Sequence, residues 1–115
     1  PDVASCDVLG RGRAVRNAGS LEAGAIVNFV SRDDRGWHIR TYERGVEGET
    51  LACGTGSVAT AILLKLWGEA SDEVELETAS GRRLGIRSVR GSDGVWKASL
   101  SGEGRLVFEG QLGDL

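Results

Sequence analysis

The sequence is poor in the features that define several large classes of protein. Its two cysteines, Cys6 and Cys53, are too few for a disulfide framework and favour a reducing, cytoplasmic setting. No apolar run approaches the roughly 20 residues that a membrane-spanning helix needs. Basic residues form no block and the net charge is −3, which argues against a nucleic-acid-binding surface. We therefore expect one domain that binds neither nucleic acid nor membrane, formed by residues 1–115.

Glycine is abundant and proline is scarce. Eighteen glycines and one proline indicate short strands joined by many tight turns. Alternating apolar stretches between these turns are typical of β-hairpins. We predict a weak helix over 7–18, a loop over 45–50, a helix from Ser57 to Trp67 that ends at Gly68, and strands over 24–31, 36–43, 73–79, 83–89, 95–101 and 105–110.

The predicted helix from Ser57 to Trp67 is apolar on nearly all sides. Only Thr60 and Lys65 interrupt its apolar surface. A helix with this pattern is typically buried in a protein interior. The sequence therefore predicts an α+β fold in which a mostly antiparallel sheet of about six strands wraps around a central buried helix.

Cys53 stands where a turn becomes this helix. It is followed by Gly54, Thr55 and Gly56. The first turn of a helix has unpaired backbone N–H groups and a partial positive charge, which stabilise a thiolate. A carboxylate can bind the same N–H groups, because the glycines let it approach the backbone. This pairing suits the removal of a proton next to a carboxylate. From the local pattern alone, a buried structural cysteine in a glycine-rich turn is the alternative.

A longer segment around Cys53 has the pattern of a known family. The sequence YERGVEGETLACGTGSVATA, residues 42–61, closely resembles a motif of diaminopimelate epimerases, and residues 9–30 and 104–112 follow the second half of the same family. Proline racemases share the Cys-Gly-Thr-Gly turn but usually lack the Glu-Arg-Gly lead-in. The resemblance implies an isomerase of lysine and peptidoglycan biosynthesis that interconverts LL- and meso-diaminopimelate without pyridoxal phosphate, metal or another cofactor. It also implies two pseudo-symmetric lobes, of which this chain is the C-terminal one.

The resemblance assigns roles to five residues. Cys53 matches one of two catalytic cysteines, which act as base on one face of the substrate and as acid on the other. Gly54 and Thr55 match residues whose N–H groups hold the α-carboxylate. Glu43 and Arg44 match a pair that binds charged groups of the substrate. A glutamate suits an ammonium group and an arginine suits a carboxylate.

Two departures from the family pattern have consequences. Ile26 stands where the family usually has an asparagine that contacts the distal end of the substrate, while Asn28 is retained. An isoleucine makes no hydrogen bond, so the resemblance implies altered distal recognition. The family's other cysteine belongs to the N-terminal lobe, and Cys6 lacks the glycine-rich helix entry that would let it take that role. The chain is therefore expected to supply half an active site.

Three functions stay open at this point. The first is an epimerase lobe that acts together with the N-terminal lobe on diaminopimelate. The second is a non-catalytic remnant or binding domain of the same fold. The third is a related proton-transfer isomerase with another substrate. Because the face bearing Cys53, Glu43 and Arg44 would be uncovered in the isolated chain, we also expect self-association through it as a two-fold dimer.

Overall fold

The computed structural model describes residues 2–114, and this part of the chain folds as two helices on a six-stranded mixed sheet. A short 3₁₀ turn, Val3–Ser5, precedes the first helix. The helices are α1 (Val8–Arg16) and α2 (Gly54–Leu66). The strands are β1 (Val27–Asp33), β2 (Gly36–Glu43), β3 (Gly48–Thr50), β4 (Glu73–Glu77), β5 (Arg83–Arg90) and β6 (Trp96–Ser101). The predicted α+β fold class is confirmed.

The sheet has the strand order β1-β2-β4-β5-β6, with β3 also paired to β2. All pairs are antiparallel except β2 with β4, which run parallel and align Trp37 with Leu76. The parallel pair follows from the connection, because α2 carries the chain from one end of the sheet back to the other. The hairpin predicted from the strands over 24–31 and 36–43 is confirmed as β1–β2, with its turn at Asp34 and Arg35.

The two faces of β2 are covered by different parts of the chain. Side chains alternate along a strand, so Ile39 and Thr41 project to one face while Arg40 and Tyr42 project to the other. The first face packs against α2, and its core includes Ile39 with Ala61, Leu64, Leu76 and Ile86. The second face packs against α1, where a Cβ on Gly12 would lie 2.5 Å from Tyr42 Cβ. Gly12, one of two glycines inside the predicted helix over 7–18, is thus what lets α1 approach the sheet.

Helix α2 begins three residues before the predicted position and ends at Leu66, one residue before the predicted Trp67, which is its C-cap. Its first residue is Gly54 and its N-cap is Cys53. Glycine disfavours helix interiors, but Gly54 and Gly56 stand in the first turn of α2. At Gly68 the backbone turns to a φ of 75°, and the following Glu69 N–H donates to Leu64 O at 2.8 Å, as in a Schellman C-cap.

The prediction that α2 is buried on nearly all sides is wrong for one side. Ser57, Thr60, Ala61 and Leu64 are buried against the sheet. The outer side is open, with Leu63, Leu66 and Trp67 exposed by 45, 56 and 68%. Within residues 2–114 the sheet is the only layer that packs along this helix. The side of α2 that faces the sheet is therefore buried, and the outer side is exposed although it is apolar.

Two further predictions are corrected by the strand pairing. The predicted loop over 45–50 contains β3, because Thr41 and Tyr42 of β2 offer it an edge. The strand predicted over 105–110 does not form: residues 102–114 have no regular structure, and Leu106, Val107, Phe108 and Leu112 are 82–86% exposed. A strand-like sequence becomes a strand only where a neighbouring edge accepts its hydrogen bonds.

Candidate functional site

The Cys53 side chain caps helix α2. Its sulfur accepts the Gly56 N–H at 3.4 Å and lies 3.5 Å from Thr55 Oγ1. The Ser57 backbone N–H and hydroxyl both donate to Cys53 O, at 3.0 and 2.8 Å. These bonds fix the backbone and the thiol of Cys53 at the positive end of the helix, and the residue is 6% exposed.

Two backbone donors lie next to the thiol without an acceptor. The first intrahelical bond of α2 is donated by Ser57, so the N–H groups of Gly54 and Thr55 precede the helical ladder. No partner for either group is found in the described range, 2–114. Thr55 is exposed and Gly54 is half-buried, which leaves this end of the helix open to an anion. The arrangement predicted from Cys-Gly-Thr-Gly is present as local geometry.

Asn28 and Thr41 support this turn from the sheet. Thr41 Oγ1 donates to Asn28 Oδ1 at 2.8 Å. The Asn28 side chain packs against Gly56, where a Cβ would overlap Oδ1 and lie 3.2 Å from Cγ. The sequence marks Asn28 only as a residue that the family pattern retains. The sequence feature that points to this contact is Gly56, because the close approach of the Asn28 side chain leaves no room for a Cβ at position 56.

Glu43 and Arg44 lie at the end of β2, and they differ in their surroundings. Glu43 is the last residue of the strand and is half-buried. It shares a face with Ile39 and Thr41, so its side chain is on the same side of the sheet as α2. Arg44 is exposed in the following turn and donates to Ala23 O at 3.0 Å. No hydrogen bond or ion pair joins either residue to Cys53 in the described part of the chain.

The turn after Arg44 is held by a residue with an unusual backbone conformation. Glu47 has a φ of 56°, in the left-handed region that side chains other than glycine rarely adopt. Its carboxylate is 2.8 Å from Arg16 Nη2, and the Tyr42 hydroxyl donates to it at 3.4 Å. Helix α1 and strand β2 therefore hold the turn that presents Arg44.

Two cavities of the molecule lie away from these residues. One of about 570 Å³ is lined by Asp33, His38, Arg40 and Glu49, among others, and one of about 440 Å³ lies between β1 and the outer side of α2. Cys53, Glu43 and Arg44 line neither of them. At the candidate site Cys53 is buried, whereas Leu51, Ala52 and Thr55 next to it in the chain are exposed. Neither helix in the range 2–114 has the length and hydropathy needed to cross a bilayer.

The fold and the site together define a class: an α+β protein with a thiol at the start of a helix, beside unpaired backbone donors. No family model matches the chain. Curated proteins do: the chain is 46% identical to a diaminopimelate epimerase of Gemmatimonas aurantiaca over 99% of its own length, 47% identical to one of Methanocella arvoryzae over 77%, and 40% identical to one of Aquifex aeolicus over 98%. The chain belongs to the diaminopimelate epimerase family, a family of isomerases.

The chain matches only part of each relative. It spans 44% of the Gemmatimonas protein, 30% of the Methanocella protein and 40% of the Aquifex protein. More than half of each of these proteins therefore has no counterpart in the 115 residues.

Proposed function

We propose that this chain supplies one half of the active site of a diaminopimelate epimerase, with Cys53 as the group that exchanges a proton with the α-carbon. The observation that carries the proposal is the capped thiol next to the unpaired N–H groups of Gly54 and Thr55. Cys53 is an acid–base group, and the anion-binding N–H groups lie within the next two residues. This arrangement suits the removal of a proton from the carbon next to a carboxylate.

The proposed step moves one proton. In one direction the Cys53 thiolate removes the α-proton, the electron pair of the C–H bond stays on the α-carbon, and the sulfur becomes a thiol. In the other direction the Cys53 thiol delivers its proton to the carbanion and becomes a thiolate. The positive end of α2 favours the thiolate, while the Gly54 and Thr55 N–H groups bind the α-carboxylate, onto which carbanion charge delocalises. No cofactor is required for this exchange.

The remaining charged groups of the substrate are assigned to Glu43 and Arg44. Glu43 is half-buried on the α2 side of the sheet and suits an ammonium group. Arg44 is exposed and its guanidinium uses Nη1 on Ala23 O, which leaves further N–H donors for a carboxylate.

Inversion at carbon needs a second group on the opposite face of the planar carbanion. One thiol at one helix end serves one face, so we propose that this chain is the C-terminal lobe and that the N-terminal lobe carries the other cysteine. The exposed residues next to Cys53 in the chain and the 44% coverage of the Gemmatimonas relative support this assignment. The isolated chain is then a poor catalyst, because a single positioned acid–base group contributes about 10²- to 10⁴-fold.

A chimera tests the proposal. The aligned 44% of the Gemmatimonas aurantiaca protein is replaced by this chain, and interconversion of LL- and meso-diaminopimelate is followed together with deuterium uptake at the α-carbon from heavy water. We expect turnover by the chimera, none that is useful by the 115-residue chain alone, and loss of turnover in Cys53→Ala.

The matched control is Cys6→Ala in the same chimera, which we expect to retain full activity. An active Cys53→Ala chimera, or robust turnover by the isolated monomer, contradicts the proposal. Self-association of the isolated chain is part of the same proposal, since its Cys53 face lacks a covering lobe. Sedimentation at several concentrations should show a dimer that Arg44→Glu weakens, and a monomer at high concentration would exclude it.

One observation favours a related isomerase with another substrate. Ile26 lines the apolar cavity of about 440 Å³ together with Leu63 and Trp67, so a hydrocarbon group fits this surface better than a second amino-acid end. In the chimera, Ile26→Asn should then raise activity on diaminopimelate. An unchanged or lower activity would remove this alternative.

A further inference from the structure

Three uncharged polar side chains form a row across strands β1, β2 and β3. The register places Asn28 opposite Thr41, and Thr41 opposite Thr50. Directly opposed residues of antiparallel strands project to the same face, and for this row it is the face covered by α2. The row therefore lies beneath the turn that carries Cys53.

The row contains a hydrogen bond that is directed at this turn. Thr41 is buried, and its Oγ1 donates to Asn28 Oδ1 at 2.8 Å, which fixes the orientation of the carboxamide. The carboxamide packs against Gly56 in the first turn of α2. Gly56 in turn donates its N–H to Cys53 Sγ at 3.4 Å. A continuous set of contacts thus runs from β2 to the sulfur.

Thr50 provides a contrast within the same row. Its Oγ1 is buried and has no hydrogen-bond partner among residues 2–114. Thr50 therefore shares the position of Thr41 on the sheet face but not its bond to Asn28. Replacing its hydroxyl with a methyl group removes an unsatisfied polar atom and leaves the contacts of the Cys53 turn intact.

We propose that Asn28, oriented by Thr41, is a positioning residue for Cys53: it holds the first turn of α2 so that the Gly56 N–H points at the sulfur and stabilises the thiolate. The inference rests on the proposed role of Cys53 in proton transfer. A carboxamide suits this position because it accepts the Thr41 hydroxyl without bringing a charge to the turn. An aspartate would place a negative charge near the thiolate and disfavour it.

The test is the ultraviolet absorbance of the thiolate, titrated against pH in the 115-residue chain with Cys6→Ser, so that Cys53 alone is observed. This absorbance does not depend on access of a reagent to a buried thiol. We expect Asn28→Ala to raise the titration midpoint by about half a pH unit and to lower the thiolate fraction at pH 7 about threefold, the order of effect that a helix N-terminus has on an anion.

Two isosteric substitutions separate positioning from a general loss of structure. Thr41→Val should raise the midpoint in the same direction, while Thr41→Ser, which keeps the hydroxyl, should restore the parent value. Thr50→Val is the matched control and should leave the midpoint unchanged. If Asn28→Ala does not fold, the comparison of Thr41→Val with Thr41→Ser still tests the inference, because valine has the shape of threonine without its hydroxyl.

The contact can also be disturbed from the helix side. Gly56→Ala should raise the midpoint, and the double variant Asn28→Ala/Gly56→Ala should shift it no further than the larger single effect, as expected for two groups in one contact. Unchanged midpoints in Asn28→Ala and Thr41→Val, or an equal shift in Thr50→Val, would overturn the inference. An inactive chimera with shifted midpoints would overturn the proposed function and leave the positioning role standing.

Discussion

The two faces of the β1–β2 hairpin are held by different kinds of interaction. On the face covered by α1 and the 3₁₀ turn, His38, Arg40 and Tyr42 each contact a carboxylate, from Asp33, Glu49 and Glu47 respectively. On the face covered by α2, the same strand presents Ile39 to the apolar core and Thr41 to an uncharged amide. Between His38 and Tyr42, β2 thus has ionic partners on one face, the ionic face, and uncharged partners on the other. Glu43, at the end of the strand, carries a charge on the α2 side.

The difference has a consequence for the thiol. Arg40 donates to Glu49 and to three backbone carbonyls of residues 3, 4 and 6, and the bond to Glu49 raises the pKa of Arg40. These charges lie on the side of the sheet away from Cys53. The polar groups that contact the Cys53 turn are backbone amides, hydroxyls and a carboxamide, and the Leu100 side chain packs against Gly54. The helix N-terminus therefore acts on the sulfur without a competing charge in contact with it.

The largest expected effect concerns the apolar packing of α2. Leu64 is buried in the core, whereas Leu63 lies on the outer side of the same helix. We expect Leu64→Ala to lower the free energy of unfolding by about 3–4 kcal/mol, because it leaves a cavity, and Leu63→Ala to change it by less than about 1 kcal/mol. Urea unfolding of both variants is the measurement. Equal losses would mean that the outer side of α2 is covered in solution.

A smaller loss is expected on the ionic face. Arg40→Met removes a partly buried cation and leaves Glu49 and three carbonyls without their donor, so we expect a loss of about 2 kcal/mol in the free energy of unfolding. Added salt should reduce this loss but should not alter that of Leu64→Ala. Arg40→Lys is the control, since it keeps the charge and loses the bidentate geometry. A change in the Cys53 titration midpoint in Arg40→Met would show that the two faces are not separate.

The third effect concerns the turn after Arg44. Tyr42 is buried and its hydroxyl donates to Glu47, whose left-handed backbone holds the turn. We expect Tyr42→Phe to cost about 1 kcal/mol in unfolding free energy, the usual value of one hydrogen bond. Glu47→Gly and Glu47→Ala both lose the ion pair with Arg16, but glycine adopts the left-handed backbone conformation without strain. We therefore expect Glu47→Gly to lower the free energy of unfolding by less than Glu47→Ala does. Urea unfolding of Glu47→Gly and Glu47→Ala measures the free-energy cost of the left-handed backbone at position 47. Identical stabilities would show that this conformation costs nothing.

The smallest effect is a pH dependence of stability that arises on the ionic face, from Asp33. The hydrogen bond from His38 and the backbone N–H of Arg35 lower the pKa of Asp33 below its usual range. The folded state therefore binds this proton less readily than the unfolded state. The stabilisation is present above the ordinary aspartate value of about 3.9 and disappears as the pH falls through the lower folded value.

Comparing the parent chain with Asp33→Asn isolates this term. The parent should be the more stable of the two near pH 6, and the difference should decline as the pH falls through the lowered pKa of folded Asp33, below which Asp33 is protonated in both states. The Thr41→Val difference should stay constant over the same pH interval, since neither Thr41 nor Asn28 titrates. A pH-independent Asp33→Asn difference would mean that the His38 contact does not persist in solution.

Local patterns in the sequence predicted the parts of the fold that depend on near neighbours. The turn at Asp34 and Arg35, the end of α2 at Gly68 and the helix entry at Cys53 are all specified within a few residues, and all three are confirmed as structure. The roles of Glu43, Arg44 and Cys53 in catalysis stay predictions. The errors fell on elements whose state depends on distant partners, namely β3, the outer side of α2 and residues 105–110.

By itself the sequence determined that a cysteine would stand at a glycine-rich helix entry, because the capping residue, the glycines and the apolar run are contiguous. It also carried the family resemblance that the curated relatives confirm. Only the tertiary structure decided that Asn28 would meet Gly56 and that Thr41 would orient it, since these residues are far apart along the chain and meet through strand register. Register and helix docking are set by the burial of the whole core, and no short segment contains that information.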